Sequence, residues 1–270
     1  MSSSPPNLIT SLQNPRVKDL VRLRDARHRR RAGCFLIEGE RELERAIESG
    51  WELSTLFFAP ESFLRPDAMD LVEKASERSI EVVQLSKSVF AKAAYRENPD
   101  GLLGIAPERP RSLEDLTLSK PAFLLIAQGV EKPGNLGALM RSANAAGADA
   151  LILCDAVCDV YNPNAIRASQ GAFFDLPIVE TSSAEALLFL EEQHIQPVTL
   201  TPHAEDQLWD IDLKAPTALV LGPEDKGLSQ EWLEAPCRPA KLPMSGITDS
   251  LNVSVTAGIA LFEAVRQRSK

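Results

Sequence analysis

The sequence predicts an α/β protein in two parts, a smaller N-terminal α/β domain followed by a domain built on a parallel sheet. Three observations lead there. Short runs of β-branched and large apolar residues alternate with amphipathic stretches of helical period along nearly the whole chain. In the second half, residues 123–127 are apolar without interruption, as strands covered on both faces are, and 217–221 reads as another apolar strand. Between the halves, residues 107–120 (PERPRSLEDLTLSK) lose this periodicity and carry proline and charge, which marks a linker. A chain of 270 residues is long for one core and comfortable for two. The expected division is residues 1–106, a linker at 107–120, and residues 121–270.

The elements follow in order. Asn14 and Pro15 open a helix, Asn as cap and Pro in the first turn. Val17, Leu20, Val21 and Leu23 give it a narrow apolar stripe that leaves the arginines outside. Strands are expected at 34–37, 53–59, 80–85 and 102–106, and helices at 40–49, 67–78 and 87–94. Asn98-Pro99-Asp100-Gly101 turns the chain before the last of these strands. After the linker, strands at 123–127, 150–153, near 177–179, 197–200, 217–221 and 241–244 alternate with helices at 136–146, 164–172, 184–192 and 227–234. In the helix at 136–146, Gly137, Ala138, Ser142, Ala143, Ala145 and Ala146 make a thin surface on which something must pack closely. Asn135 is placed to cap it, and Arg141 falls nearly two turns along.

A C-terminal helix closes the chain. Leu251, Val255, Ile259 and Phe262 recur at helical spacing, and Asp249 or Ser250 is placed to cap its start. Its beginning is unusual: Ser250, Asn252 and Ser254 crowd the first turn, and Val253, Val255 and Thr256 are β-branched. Ala257, Gly258 and Ala260 allow close approach of other backbone.

Composition narrows the function classes. With 44% hydrophobic and 25% charged residues the chain reads as a soluble globular protein. It has no apolar run long enough to span a bilayer, and its polar start does not read as a signal peptide. The four cysteines (Cys34, Cys154, Cys158, Cys237) have neither zinc nor CxxC spacing, so reduced cytoplasmic thiols are expected. A net charge of −9 argues against indiscriminate coating of nucleic acid. Even so, Arg16, Lys18, Arg22, Arg24, Arg27, Arg29, Arg30 and Arg31 sit together, opposed only by Asp19 and Asp25. That cluster reads either as one localised phosphate contact or as a solvated helix face.

After the strand at 217–221 comes Gly222-Pro-Glu-Asp-Lys-Gly227. Its glycines allow backbone to approach a ligand, or serve a plain turn between strand and helix. It is neither a phosphate-binding Walker loop nor a GxGxxG fingerprint, which removes the support for a nicotinamide-dependent dehydrogenase.

Three stretches, PGNLGALMRSA (133–143), LGPEDKGLS (221–229) and LPMSGITDSLNVSVTAGIALFE (242–263), resemble in order the three motifs of the SpoU (TrmH) family of RNA ribose 2′-O-methyltransferases. The likeness covers residues 120–270. The first half, with LITSLQNP (8–15) and FLIEG (35–39), resembles the ribosomal-protein-like RNA-binding domain that precedes many of these enzymes. The pattern of elements alone predicts an open sheet, since knots are very rare; the resemblance implies instead the α/β-knot (SPOUT, trefoil knot) fold. It also implies S-adenosylmethionine as cofactor, ribosomal RNA as substrate, and a cytoplasmic homodimer formed through the knot. Transfer RNA as substrate, or a non-catalytic RNA-binding protein on the same scaffold, are the alternatives.

By that resemblance Gly222, Leu242 and Leu251 line the cofactor, with Leu200, Thr201 and Met244 nearby. Arg141 holds the target ribose and its phosphate, while Asn135, Ser250 and Asn252 shape the site and Glu224 matches the acidic motif residue. Arg29, Arg30 and Arg31 are the expected RNA contacts. Methyl transfer of this kind needs no metal, and His28, His194 and His203 lie outside all three motifs. Lys132 stands where many members carry Asp, so no role of that Asp carries over.

Overall fold

The carboxamide of Asn14 accepts from the Arg16 N–H at 2.9 Å, and Pro15 opens α1 (Pro15–Arg22). The expected single helix then breaks. Asp25 caps a second one, α2 (Ala26–Ala32), which Gly33 ends in the left-handed conformation at φ 61°. Arg29 is the reason the break is stable: its Nη1 donates to the carbonyls of Leu23 and Arg24 at 2.9 and 2.8 Å, satisfying acceptors that the end of α1 leaves open. Its side chain is buried, contrary to the expectation that all the arginines stay outside.

These coordinates form a computed structural model describing residues 8–223 and 225–269, which divides into two units. The first holds residues up to 109 together with 160–174; the second holds 110–159 and the rest from 175. Among the described residues, the first unit has one four-stranded sheet, ordered β1 (Cys34–Glu38), β4 (Leu102–Pro107), β2 (Thr55–Phe58), β3 (Glu81–Gln84). Only the β2–β3 pair is parallel. Helices α3 (Glu40–Glu48), α4 (Ala68–Glu77) and α5 (Lys87–Ala93) connect the strands. Val17, Leu20, Leu36, Phe57, Phe90 and Leu103 meet in one apolar cluster of this unit.

The segment 160–174 was expected in the second half. It packs with the first because Tyr161, Phe173 and Phe174 join Phe35 and Trp51 in an aromatic cluster, with ring centroids 4.8–5.7 Å apart. Its helix is shorter than expected. α7 (Pro163–Ala168) stops where Gln170 and Gly171 take positive φ. The low-periodicity stretch 107–120 is not wholly open chain either, because Leu113 is buried in the core of the second unit.

The second unit carries a sheet of six described strands, all neighbours parallel. Its order is β10 (Arg238–Ala240), β8 (Gln196–Leu200), β9 (Thr217–Leu221), β5 (Phe123–Gln128), β6 (Ala150–Cys154), β7 (Ile178–Thr181). Leu124, Ile126, Ile152 and Val220 pack with Ala186 and Leu190 of α8 (Ser183–Glu192) and with Trp232 of α9 (Gln230–Glu234). The alternating residues Leu125, Leu151, Leu153 and Leu219 are equally buried. They point to the other face, where α6 (Pro133–Ala145) and α10 (Val253–Arg268) lie on β6 and β9. Burial on both faces is why these strands read as unbroken apolar runs.

Four boundaries differ from expectation, each for a local reason. The last strand is 238–240 rather than 241–244, paired with β8 and followed by open chain. Gly227 at φ 67° delays α9 to Gln230. α6 starts at Pro133, the preferred first position for proline, so Asn135 sits inside the first turn and does not cap. The cap of α10 is Asn252, whose side chain accepts from the Ser254 N–H at 3.0 Å, and neither Asp249 nor Ser250.

Candidate active site at the carboxyl edge of the parallel sheet

Because β10, β8, β9 and β5 are adjacent and parallel, their carboxyl ends share one edge, where open α/β sheets bind ligands. Leu200 ends β8 and Thr201 follows it; Gly222 follows β9; Leu242 and Met244 follow β10; Asn135 and Arg141 lie on the helix after β5. Five of the six sequence-predicted cofactor residues, all but Leu251, therefore lie at or after strand ends of this one edge.

Gly222 is required by the shape of its loop. A Cβ there would stand 2.5 Å from the backbone of Gly227 and Leu228, so the loop folds back onto the glycine itself. Replacing Gly222 with Val would distort this loop directly, before any ligand is considered. The loop's far end is held by a polar cluster that sequence reasoning missed. Gln128, buried at the end of β5, accepts from the Ser229 N–H at 2.9 Å, and its Nε2 lies 2.9 Å from Ser229 Oγ and 3.0 Å from Ser183 Oγ. Ser183 in turn donates to Asp155 at 2.6 Å and accepts from the Trp232 indole at 2.9 Å. Hydrogen bonding from Ser183 holds the Asp155 carboxyl below its ordinary value. The available signal was a glutamine closing an otherwise apolar strand.

The first and third motif stretches meet directly. Asn252 Nδ2 donates to Asn135 Oδ1 at 3.2 Å, while Asn252 Oδ1 accepts from the Ser254 N–H and hydroxyl. α6 and α10 lie side by side, with Gly258 facing Ser142: a Cβ there would stand 3.8 Å from Ser142 Oγ, an ordinary van der Waals distance. The far end of α10 is pinned by Arg268, which donates to the carbonyls of Leu213, Ala122 and Ala215 and lies over the Phe123 ring at 4.4 Å.

Other predicted residues are not brought together. Ser250 is exposed and donates to Asp249 at 3.2 Å. Arg141 is exposed, and its side chain has no hydrogen bond or ion pair to any described residue. Six positions after Asn135, it stands about 9 Å along α6 and on a different side of it. Glu224 lies outside the described residues. Leu242, Met244, Leu200 and Thr201 are half-buried and Leu251 is exposed, which leaves apolar surface uncovered beside bare loop backbone. Such a surface fits an adenosyl group, which needs apolar contact on its faces and backbone groups at its edge. Among the described residues no group of His, Cys, Asp and Glu could hold a metal ion.

In the first unit Arg30 and Arg31 are exposed on α2 as expected, but Arg29 is not available to RNA, being buried against carbonyls.

Residues 122–262 match the SpoU rRNA Methylase family, and residues 14–104 match the MRM3-like substrate binding domain. A 23S rRNA (uridine(2479)-2′-O)-methyltransferase of Streptomyces viridochromogenes is 31% identical, over 96% of this chain and 92% of its own. The solved structure of an RNA 2′-O ribose methyltransferase is 41% identical, with a TM-score of 0.86 over 97% of this chain and 100% of its own. An AdoMet-bound rRNA methyltransferase from Sinorhizobium meliloti is 30% identical, with a TM-score of 0.88 over 96% of this chain and 97% of its own. Its three motif stretches, its parallel sheet and these matches together make the chain a member of the SpoU rRNA methylase family, with an MRM3-like substrate-binding domain ahead of the methylase domain.

Proposed function

We propose that this protein transfers a methyl group from S-adenosylmethionine to a ribose 2′-OH of ribosomal RNA. The observation that carries the reading is the Asn252–Asn135 hydrogen bond, which joins two motif stretches at the carboxyl edge of the sheet, beside the loop that begins at Gly222. The rRNA assignment over tRNA rests on the relatives: the Streptomyces enzyme and a 27% identical Bacillus subtilis protein are both named 23S rRNA 2′-O-methyltransferases.

When bound, the cofactor supplies a methyl group activated on a sulfonium sulfur. The chain's own residues then have three tasks. Gly222, Leu242 and Leu251, with Leu200, Thr201 and Met244, would hold the adenosyl moiety by backbone and apolar contact. Asn135 and Asn252, each oriented by the other, would position the target ribose, with Ser250 adjacent; Glu224 is assigned to the same site from the motif. Arg141 would bind the neighbouring phosphate. A guanidinium stays protonated and is a poor base. A bidentate phosphate clamp therefore suits it better, placing the hydroxyl in line and favouring loss of its proton.

We further infer a trefoil-knotted C-terminal segment and a symmetric homodimer. The small residues of α6 and α10 are already used within one chain. What remains for a partner is the exposed apolar side of α10, where Val255 and Phe262 are half-exposed and Ile259 lies between them at helical spacing. A second chain seated there would also bring its own motif helices close, answering the separation of Arg141 from Asn135. No helix among the described residues is long and apolar enough to cross a membrane. The rRNA-methyltransferase reading is what places the enzyme with its RNA in the cytoplasm.

The reading is tested by mapping ribose methylation in ribosomal RNA from cells with and without this gene. One or more 2′-O-methyl marks are expected to vanish on deletion. An unchanged rRNA map, with loss of a tRNA mark instead, would move the substrate assignment.

A further inference from the structure

The first unit contains an open polar depression of about 410 Å³, lined by Tyr95, Arg96, Glu97, Asn98, Asn164 and Arg167. None of these residues belongs to the motif stretches or to the basic cluster of α2. The wall is unusually well braced. The buried Glu38 carboxylate accepts from the backbone N–H groups of Tyr95 and Arg96 at 2.6 and 3.1 Å. Arg96 is fixed from behind by the Glu38 carbonyl, Glu42 and Asp100 at 3.1–3.5 Å. Its charge is thereby matched by acids, so it acts as a support and adds little net field.

Three features remain presented outward. Tyr95 is 38% exposed, and its hydroxyl is held by Asn164 Nδ2 at 3.3 Å. Arg167 is exposed and tied at one nitrogen to Asn164 Oδ1 at 3.0 Å, leaving the rest of its fork to solvent. The Glu97 carboxylate and the Asn98 amide are exposed and make no side-chain hydrogen bond among the described residues. The lining thus combines an aromatic face, one free guanidinium, one carboxylate and an amide. A phosphate alone would find Glu97 repulsive. A flat heterocycle with N–H donors on its edge, joined to a phosphate, matches all four groups.

We infer that this depression binds one unpaired nucleotide of the RNA, its base stacked on Tyr95, its edge read by Glu97 and Asn98, and its phosphate met by Arg167. Guanine fits best, because its N1–H and N2–H₂ groups together can donate to a single carboxylate. The site rests on the RNA-methyltransferase reading and extends it, by placing a sequence-reading contact in the first unit, on residues outside the three motif stretches.

The test uses the full-length protein with single-stranded octaribonucleotides, one containing guanosines in an adenosine background and one all adenosine, measured by fluorescence anisotropy. Wild type is expected to bind the guanosine oligomer more tightly. Tyr95→Ala is expected to weaken both about tenfold, the size of a lost stacking contact. Glu97→Gln is expected to erase the guanosine preference while leaving adenosine binding intact. S-adenosylmethionine affinity, measured by calorimetry on the same preparations, is expected to be unchanged, which shows that the second unit is intact, and an unchanged urea midpoint shows that the variants are folded. If Tyr95→Ala and Glu97→Gln bind both oligomers as wild type does while wild type still methylates rRNA, the depression is not a nucleotide site and the enzyme reading stands. If wild type neither binds RNA nor methylates it, the enzyme reading itself has failed.

Discussion

Arg29 and its neighbours Arg30 and Arg31 show how three identical residues in a row acquire different work. The chain's only information at that point is charge, which cannot say which guanidinium turns inward. The end of α1 decides it, because open carbonyls there demand a donor. Arg29→Ala is therefore expected to lower stability by about 1–3 kcal/mol, the usual cost of leaving buried acceptors unpaired. It is expected to leave the salt dependence of RNA binding alone. The Arg30→Ala, Arg31→Ala pair is expected to do the reverse, flattening the salt slope by up to about two units with little change in denaturant midpoint. Asn252 carries two roles that separate in the same way. Asn252→Asp keeps the cap of α10 but loses the amide N–H that reaches Asn135; Asn252→Ala loses both. Both variants are expected to lose methyl transfer, and only the alanine variant to lose about 1 kcal/mol of stability in urea titration.

At the scale of elements, the alternation of strand and helix was legible nearly throughout, because strands buried on both faces and amphipathic helices leave different periods in the sequence. The boundaries that slipped lie where glycine or proline geometry overrides the apolar pattern. Gly227 shortens α9, Pro133 advances α6, and Gln170 with Gly171 cuts α7. The site was legible as motifs but not as a mechanism of support. Gln128, Asp155, Ser183 and the Ser229–Trp232 pair come from four separate stretches, and only the folded sheet brings them together. The Gly222 loop hangs between that cluster and β9, so its order depends on both ends. Gln128→Leu, similar in size but unable to bond Ser229, is expected to weaken S-adenosylmethionine binding at least tenfold in calorimetry. Gln128→Glu, which still accepts from the Ser229 N–H, is expected to retain part of it. Equal affinity in all three proteins would detach the cluster from the cofactor loop.

For the whole molecule, the sequence showed two halves but not that residues 160–174 pack with the first of them. Aromatic residues scattered between two strands carry no period from which such a return could be read. Of the apolar residues that recur at helical spacing in the C-terminal stretch, three are substantially exposed: Leu251, Val255 and Phe262. A second chain covering that side would explain both their exposure and the distance of Arg141 from Asn135. Sedimentation at micromolar concentration is expected to show a dimer, and Val255→Lys with Phe262→Glu to give monomers without methyl transfer. Mixing an Arg141→Ala chain with an Asn252→Ala chain is expected to restore activity if each site draws on both chains. The central claim, that this protein methylates a ribose hydroxyl and does so through Arg141, is tested most directly by following isotopic label from S-adenosylmethionine into rRNA and then hydrolysing the RNA in alkali. A methyl group on a 2′-oxygen blocks cleavage of the adjacent phosphodiester. Wild type is therefore expected to yield label in alkali-stable dinucleotides, and Arg141→Ala to reduce that label a hundredfold or more, on the order expected when an orienting contact is lost. Label released as mononucleotides, or equal transfer by Arg141→Ala, would contradict the account.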